Sequence, residues 1–587
     1  MDNTQNHGSE ITIKGIAAAP GIAVGPSYAY SKQAVRAQMK PIEAGDVGSE
    51  IERLHGAVAR SQKELEKIVA FAQEKLDPED TKILEAQIMI LGDTILMTTI
   101  EKRIAGELRN AEFIVFDEIS KYKRLMLSAP DEYMHERAHD VDDVMNRIIR
   151  NIQDQKLVSK LEGEAVIVSE SLTPADTIIF SRNKILGYAT DLGGITSHAA
   201  ILSRSLKIPA VVGLRNVTRM VHAGDIVALD GYSGVVLVNP TEESLQALQR
   251  KAQRFREFEE RLTELVDLAA ETADHKHIEL SANVEFDEDL SFTREQGAAG
   301  IGLFRTEGQL FGRTGYPTEE ELYATYRTAT DAVFPHPVIF RVFDVGGDKL
   351  APGSFHENNP FLGWRGIRVL LDRPDLFQTQ LRAILRASDR KTVRIMLPMV
   401  STIQEIRQTR LVVRAAMDDL ERRGQPYDRD IKLGVMVETP AAALLADQMA
   451  AEVDFLSIGT NDLTQYIMAV DRDNLAVAPL YQQFNPAVLR AIKMIIDAGH
   501  KKARWVGMCG ELAGDPLATV LLVGLGLDEF SVIPSVLPEI KKIIRTVKYK
   551  DAKRVAERTL AMTGETEIRE YLSSIVKNQV PEIPLDL

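Results

Sequence analysis

Within residues 193–213, GGITSHAAILSRSLKIPAVVG, one histidine sits in a setting suited to covalent chemistry. Gly193 and Gly194 permit a tight turn and a close approach of backbone to a ligand, and Thr196 and Ser197 add hydroxyls with helix-capping chemistry. The spacing of Ile201, Leu202 and Leu206 predicts a helix that starts beside His198 and ends at Lys207, Ile208 and Pro209, ahead of a strand-like AVVG. N–H groups at the start of a helix attract anions. A neutral imidazole near pH 7 keeps a lone pair for attack, so His198 is a candidate nucleophile and phosphoryl carrier. A solitary histidine is more often a satisfied structural residue, and it is the surrounding string that favours the carrier.

A second set lies further along. Glu438 in GVMVETPA and Asp462 in SIGTNDLTQY offer two hard oxygen ligands, the usual protein share of a Mg2+ site. Arg305, Arg341 and Arg472, with Arg365 in GWRGIR as a fourth, supply planar donor forks for phosphate and carboxylate. Cys509, in GMCGE between Gly507 and Gly510, has no second thiol for zinc or redox work. At the mouth of an anion site it is a candidate general acid that hands a proton to carbon.

These residues need a frame. From His277 onward, eight short apolar runs alternate with helical stretches: HIELSANV, GIGLFR, PVIFRVFDVG, VRIMLPM, IKLGVMVE, DFLSIG, WVGMCG and DEFSVI. That rhythm predicts a (β/α)8 barrel closed by helices after Lys541. Asn283, Arg305, Arg341, Asp344, Glu438, Asn461, Asp462 and Cys509 fall at or just past the carboxyl ends of the runs, the face where such barrels place catalysis. Upstream, residues 11–30 read as a pair of strands around Pro20 and Gly21. Residues from about 45 to 153 read as a bundle of about four helices, with Pro78 and Pro130 in turns. Strands return at 165–170, 185–191 and 210–213 and in a hairpin over 225–240.

The expected architecture is a multidomain α/β protein. A split β/α domain (1–40 and 154–240) presents His198, a helical bundle (41–153) is inserted in it, and a linker helix (241–272) leads to the barrel (273–587).

A chain of 587 residues is too long for one ordinary domain. No apolar run approaches the ~20 residues needed to span a bilayer, so no membrane insertion is expected. The N-terminal segment MDNTQNHGSEITIKG lacks the pattern of a secretory signal. One cysteine rules out intrachain disulfides and fits a cytoplasmic location. A formal net charge of −15 argues against nucleic acid as a partner and permits a basic protein one.

The histidine string resembles the phosphohistidine loop of the phosphoenolpyruvate-utilising enzymes. GIAAAPGIAVG, GLFRTE, DVGGDK, NPFLGWRGIR, LPMV, VETPA, SIGTNDLTQY, AVDR and GMCGELAGDP resemble, in order, the landmarks of the bacterial enzyme I family of the sugar phosphotransferase system. The resemblance implies a swivelling domain that phosphorylates at His198, with Thr177 nearby. It implies phosphoenolpyruvate contacts at Arg305, Arg341, Asn461, Asp462 and Arg472, with Arg365 auxiliary, magnesium at Glu438 and Asp462, and Cys509 as the acid that converts enolpyruvate to pyruvate. It further implies delivery of the phosphoryl group to a histidine of an HPr-type phosphocarrier docked on the bundle, in sugar uptake or its regulation, and a homodimer formed through the barrel. Two departures stand out: Ile195 where the family commonly has arginine, and RTEGQLFGR where RTEFLYM is usual, the former closer to the dikinase form. A synthase or dikinase, and a regulatory relative with a different carrier, are the alternative readings.

Overall fold

The computed structural model describes the chain except for residues 1–9, 31–36, 73–86, 129–131, 155–162, 183–184, 195–196, 223, 286–288, 311–314, 347–356, 358, 473, 475, 582 and 584–587. The chain divides into two compact units, one up to Arg254 and one from Phe255. The division falls within the charged helix Glu242–Thr263.

In the first unit, β1 (Ile11–Lys14), β2 (Ile16–Ala19), β3 (Ile22–Tyr30), β4 (Ala165–Ser169), β5 (Ile185–Thr190), β6 (Ala210–Val212), β7 (Ile226–Asp230) and β8 (Val235–Val238) form one sheet in the order β1-β8-β7-β3-β4-β5-β6-β2. The first stretch is three strands, where a pair was expected. Gly15 divides it: β1 pairs with β8 and β2 with β6, at opposite edges of the sheet. Two edges joined by a single residue force the sheet to curl upon itself. Gly15 tolerates the crossing because a Cβ there would lie 2.5 Å from the Val212 carbonyl oxygen, and its N–H donates to the Gly234 carbonyl at 2.8 Å.

Between β3 and β4 run the helices Val47–Ala72, Thr94–Glu107, Ala111–Ser128 and Glu132–Ile152. Pro78 and Pro130, read as turn residues, lie outside the described residues. The Asp93 side chain caps the second of these helices by accepting from the Ile95 and Leu96 N–H groups. Leu54, Leu65, Ile100, Ile104, Ile114 and Ile148 build the bundle core. Ala175, Ile178 and Leu202 belong to that same core. The helices Pro174–Ser181 and His198–Ser205 are therefore packed against the bundle as well as against the sheet.

The second unit is a closed, all-parallel barrel of β9 (Glu279–Val284), β10 (Ile301–Phe304), β11 (Val338–Arg341), β12 (Val393–Leu397), β13 (Lys432–Val437), β14 (Phe455–Ile458), β15 (Trp505–Met508) and β16 (Glu529–Val532). Each strand is one of the apolar runs read from the sequence, and β16 closes on β9 with Glu529 opposite Glu279 and Phe530 opposite Leu280. Leu303, Ile339, Met396, Met436 and Phe455 fill the interior, as in a packed core rather than a pore. The helices Leu537–Thr546, Tyr549–Leu560 and Glu565–Gln579 follow the last strand.

Candidate active site

Parallel strands all end at one face, so residues far apart in sequence meet there. They enclose a cavity of about 230 Å3 whose lining includes Arg305, Arg341, Arg365, Glu438, Asn461, Asp462, Arg472 and Cys509. The barrel residues read as catalytic, binding or metal-ligating are thus brought together with Asp344, whereas Asn283 does not line the cavity.

The arginines are held by carboxylates. Arg341, the last residue of β11, pairs with Glu307 at 3.0 Å and with Asp344 at 3.3 Å. Asp344 also grips Arg365 at 2.8 Å, and Arg365 reaches Asp462 at 3.4 Å. Burial works against the Asp344 charge, but Arg341 and Arg365 outweigh it and hold the carboxyl below its usual range. Burial likewise opposes the charge on both guanidiniums; Glu307 and Asp344 around Arg341, and Asp344 and Asp462 around Arg365, raise them above their ordinary value. The result is a set of fixed positive forks facing a cavity. Arg305 is more exposed and pairs with Glu285 at 3.2 Å.

Glu438 faces the opposite problem. Glu438 is fully buried, and burial first, then the neighbouring Asp462 and Asp344, push its carboxyl well above the usual carboxylate range. Its Oε1 accepts the Met399 N–H at 2.6 Å. Asp462, in the first turn of the helix Thr460–Met468, has a buried Oδ1 with no hydrogen-bond partner, and the Thr460 hydroxyl and Arg341 Nε are likewise buried and unpaired. Gly510 permits this crowding, since a Cβ there would fall 1.9 Å from the Thr460 hydroxyl oxygen. Buried unsatisfied polar atoms are costly, and two of these three belong to residues that line the cavity, Asp462 and Arg341. Two repelling carboxylates with an orphaned oxygen fit a divalent cation. Among the described residues no group of three or more His, Cys, Asp or Glu is arranged to hold a metal; the donor set matches Mg2+, which takes one or two carboxylates and completes its shell with ligand and water oxygens.

Asn461 is committed at the rim: its Nδ2 donates to Glu511 Oε1 at 3.1 Å and its Oδ1 accepts the Glu511 N–H at 2.9 Å. Glu511 takes one of the two amide N–H groups and one oxygen lone pair, so a second N–H remains for a ligand. Arg472 lines the cavity, and its backbone N–H donates to Gln465 Oε1 at 3.2 Å. Cys509 is buried under the mouth, and burial pushes its thiol up to about 11 against the lowering effect of a hydrogen bond from Ser457. Such a thiol keeps its proton at neutral pH, as a general acid must.

His198 and Thr177 belong to the other unit. His198 is the first residue of its helix, behind the N-cap Ser197, whose side chain accepts the Ala200 N–H. The helix therefore begins where the sequence predicts. The His198 side chain, Ile195 and Thr196 lie outside the described residues. Thr177 is buried in the adjacent helix, and its hydroxyl donates to the Thr173 carbonyl at 3.0 Å. Sequence reasoning missed Glu285 and Glu307, the carboxylates that hold Arg305 and Arg341. The signal available was an acidic residue two positions after Arg305 in RTE.

Three family descriptions match the chain: PEP-utilising enzyme, N-terminal, over residues 14–137; PEP-utilising enzyme, mobile domain, over 161–234; and PEP-utilising enzyme, PEP-binding domain, over 259–549. A phosphoenolpyruvate-protein phosphotransferase of Geobacillus stearothermophilus is 44% identical over 572 residues, covering 96% of this chain and 98% of the relative. Another, of Staphylococcus carnosus (strain TM300), is 41% identical over 570 residues, with 96% and 99% coverage. An NMR solution structure of an Enzyme I protein shares 42% identity, covering 42% of this chain and 99% of the other, with a TM-score of 0.38. Identity at this level over nearly the full length of both chains, with a closed barrel over the PEP-binding match, shows that the chain belongs to the phosphoenolpyruvate-protein phosphotransferase family of PEP-utilising enzymes.

Proposed function

We propose that the barrel mouth binds phosphoenolpyruvate and that its phosphoryl group passes to His198 and then to a histidine of an HPr-type phosphocarrier, releasing pyruvate. The observation that carries the reading is the juxtaposition, in one cavity, of guanidiniums locked in the charged state and a buried carboxylate pair with an orphaned oxygen. Arg305, Arg341, Arg365 and Arg472 orient the phosphate and carboxylate of the substrate, with Asn461 at the rim. Phosphoryl transfer is catalysed chiefly by positioning and charge stabilisation, which fixed guanidiniums supply without reorganising. Glu438 and Asp462 would hold Mg2+, which supplies charge neutralisation at the phosphoryl oxygens. Cys509 gives its proton to the methylene carbon of enolpyruvate, and Thr177 supports the His198 helix from the neighbouring one.

The domain scheme that accompanies this reading assigns residues 1–40 and 154–240 to the phosphohistidine domain, 41–153 to carrier docking, 241–272 to the linker and 273–587 to substrate binding and dimerisation. No described helix is long and apolar enough to cross a membrane, and a cytoplasmic location goes with the family's chemistry. The test is incubation with labelled phosphoenolpyruvate and candidate carriers. Acid-labile, base-stable label on the wild type, absent from His198→Ala, is expected, with onward transfer to an HPr-type carrier. Normal labelling of the alanine variant overturns the assignment of His198, and ATP formation from AMP and phosphoenolpyruvate would move the chain to the synthase class.

A further inference from the structure

Cys509 is clamped from three sides. Its N–H donates to the Ile458 carbonyl at 3.1 Å. Its carbonyl accepts the Asn283 Nδ2 at 3.1 Å, and Asn283 is itself fixed by the Ser531 hydroxyl, which donates to its Oδ1 at 2.7 Å. These contacts hold the backbone. The sulfur is met by Ser457 on β14, whose hydroxyl donates to Cys509 Sγ at 3.4 Å. Both residues are buried, at 2% and 3% exposure. The other members of the cluster that holds Cys509 are apolar: Leu303, Ile339, Met396, Met436 and Phe455, with Trp505 partly buried against it.

A serine is an expensive choice for a barrel interior. Its hydroxyl must find an acceptor once buried, whereas an alanine would pack there at no polar cost. The acceptor it has found is a thiol sulfur, a weak one. A thiolate in the same place would be a charged and much stronger acceptor. The Ser457 bond is therefore poor while Cys509 holds its proton and strong once the proton has gone. An interaction that strengthens as the reaction proceeds is the kind that accelerates it.

We propose that Ser457 is a positioning residue for Cys509, holding its sulfur in place under the cavity, where the S–H also contacts the Ile458 carbonyl at 3.9 Å, and stabilising the thiolate that remains after proton delivery. The inference rests on the reading of Cys509 as the general acid. In the step, the Cys509 S–H bond breaks and a C–H bond forms at the methylene carbon of enolpyruvate. The pair for the new C–H bond comes from the enolate π system, which collapses to the ketone of pyruvate. The S–H pair stays on sulfur, Ser457 keeps its own proton and donates to the thiolate, and a solvent proton restores the thiol after pyruvate leaves. Arg305 and Arg341 also favour the thiolate and Glu438 opposes it, so Ser457 tunes a balance that these charges set.

Because Cys509 is the only cysteine in the chain, alkylation by iodoacetamide as a function of pH titrates this thiol alone in the full-length enzyme. Ser457→Ala is expected to move the midpoint upward by about one pH unit and to lower kcat for pyruvate formation about tenfold, the loss of one hydrogen bond to a charged group. KM for phosphoenolpyruvate should stay within about twofold, since no substrate contact is removed. Protonation of stereochemically labelled phosphoenolpyruvate should become less face-selective. Ser457→Thr, which keeps the hydroxyl, should return the titration and kcat toward wild type. If folded Ser457→Ala matches wild type in thiol titration and kcat while Cys509→Ala loses stereospecific protonation, the role of Ser457 is overturned and the acid stands. If Cys509→Ala retains stereospecific protonation, the acid assignment itself falls, and this inference with it.

Discussion

At the scale of single residues, the site sets like charges together that the neighbouring guanidiniums relieve only in part. Burial and the neighbouring Asp462 disfavour the Glu438 charge in the buried mouth, so removal of that carboxylate should harm activity far more than folding, the expected trade at a site built for function. Glu438→Gln is expected to reduce phosphoryl transfer by at least about a hundredfold while leaving the thermal midpoint in chelator unchanged or raised. Added Mg2+ should raise the wild-type midpoint by mass action and leave that of the variant where it was. Full activity of chelator-treated wild type would defeat the metal assignment. At Cys509 a thiol held near 11 gives phosphoryl transfer no nucleophile but gives the enolate a proton. Cys509→Ala should consequently still label His198 in a single turnover while losing facial selectivity in the pyruvate formed, read with isotopically labelled substrate.

At the scale of elements, β16 carries a carboxylate into the barrel interior. Glu529 is fully buried, and burial first, then the nearby Glu279, push it from an ordinary 4.5 up to about 7. The unfolded chain gives up this proton as pH passes about 4.5, whereas the folded barrel keeps it until about 7. Stability is thus full below the lower value, falls across that window and is level above it. Glu529→Gln removes the dependence. The variant should unfold at a higher temperature than wild type at pH 8, by on the order of 3 kcal/mol in stability, with the gap closing at pH 5. Equal midpoints at both pH values would show that the charge is relieved by other means. A second element, the His198 helix, is pinned by Leu202, which is fully buried in the bundle core with Ile178. Leu202→Ala should cost the first unit about 2–5 kcal/mol, measured by denaturant unfolding, and should slow labelling of His198 only as far as the helix loses order.

At the scale of the whole molecule, His198 and the arginine-lined cavity belong to different compact units. The proposed reaction requires His198 to reach the barrel mouth and, afterwards, a carrier protein. Hinging near Asn239 and along the connecting helix is the simplest route, with closure favoured by substrate and cation through differential contacts. A crosslink that fixes the β/α domain against the barrel should permit labelling from phosphoenolpyruvate and block delivery to the carrier. Delivery at the uncrosslinked rate, followed by transfer of label to an HPr-type protein, would make the swivel unnecessary.

Much of this molecule was written in local sequence. The eight barrel runs are legible because an apolar stretch bounded by turns forms a strand whatever its partner, and the alternation with helices admits few closures. The carboxyl-end positions of Arg341, Glu438 and Cys509 follow from the direction of those strands, and the start of the His198 helix follows from the cap at Ser197. What neighbouring residues cannot encode is distance across the fold. Tertiary structure alone decided that Gly15 splits one apparent strand between two sheet edges, because that depends on where β6 and β8 lie. It alone gave Arg341 the Glu307 carboxylate and committed the Asn461 amide to Glu511. It alone laid the Ser457 hydroxyl against a sulfur 52 residues away. Ion pairs and hydrogen bonds of this kind are fixed by strand register and side-chain packing, quantities that exist only once the barrel has closed.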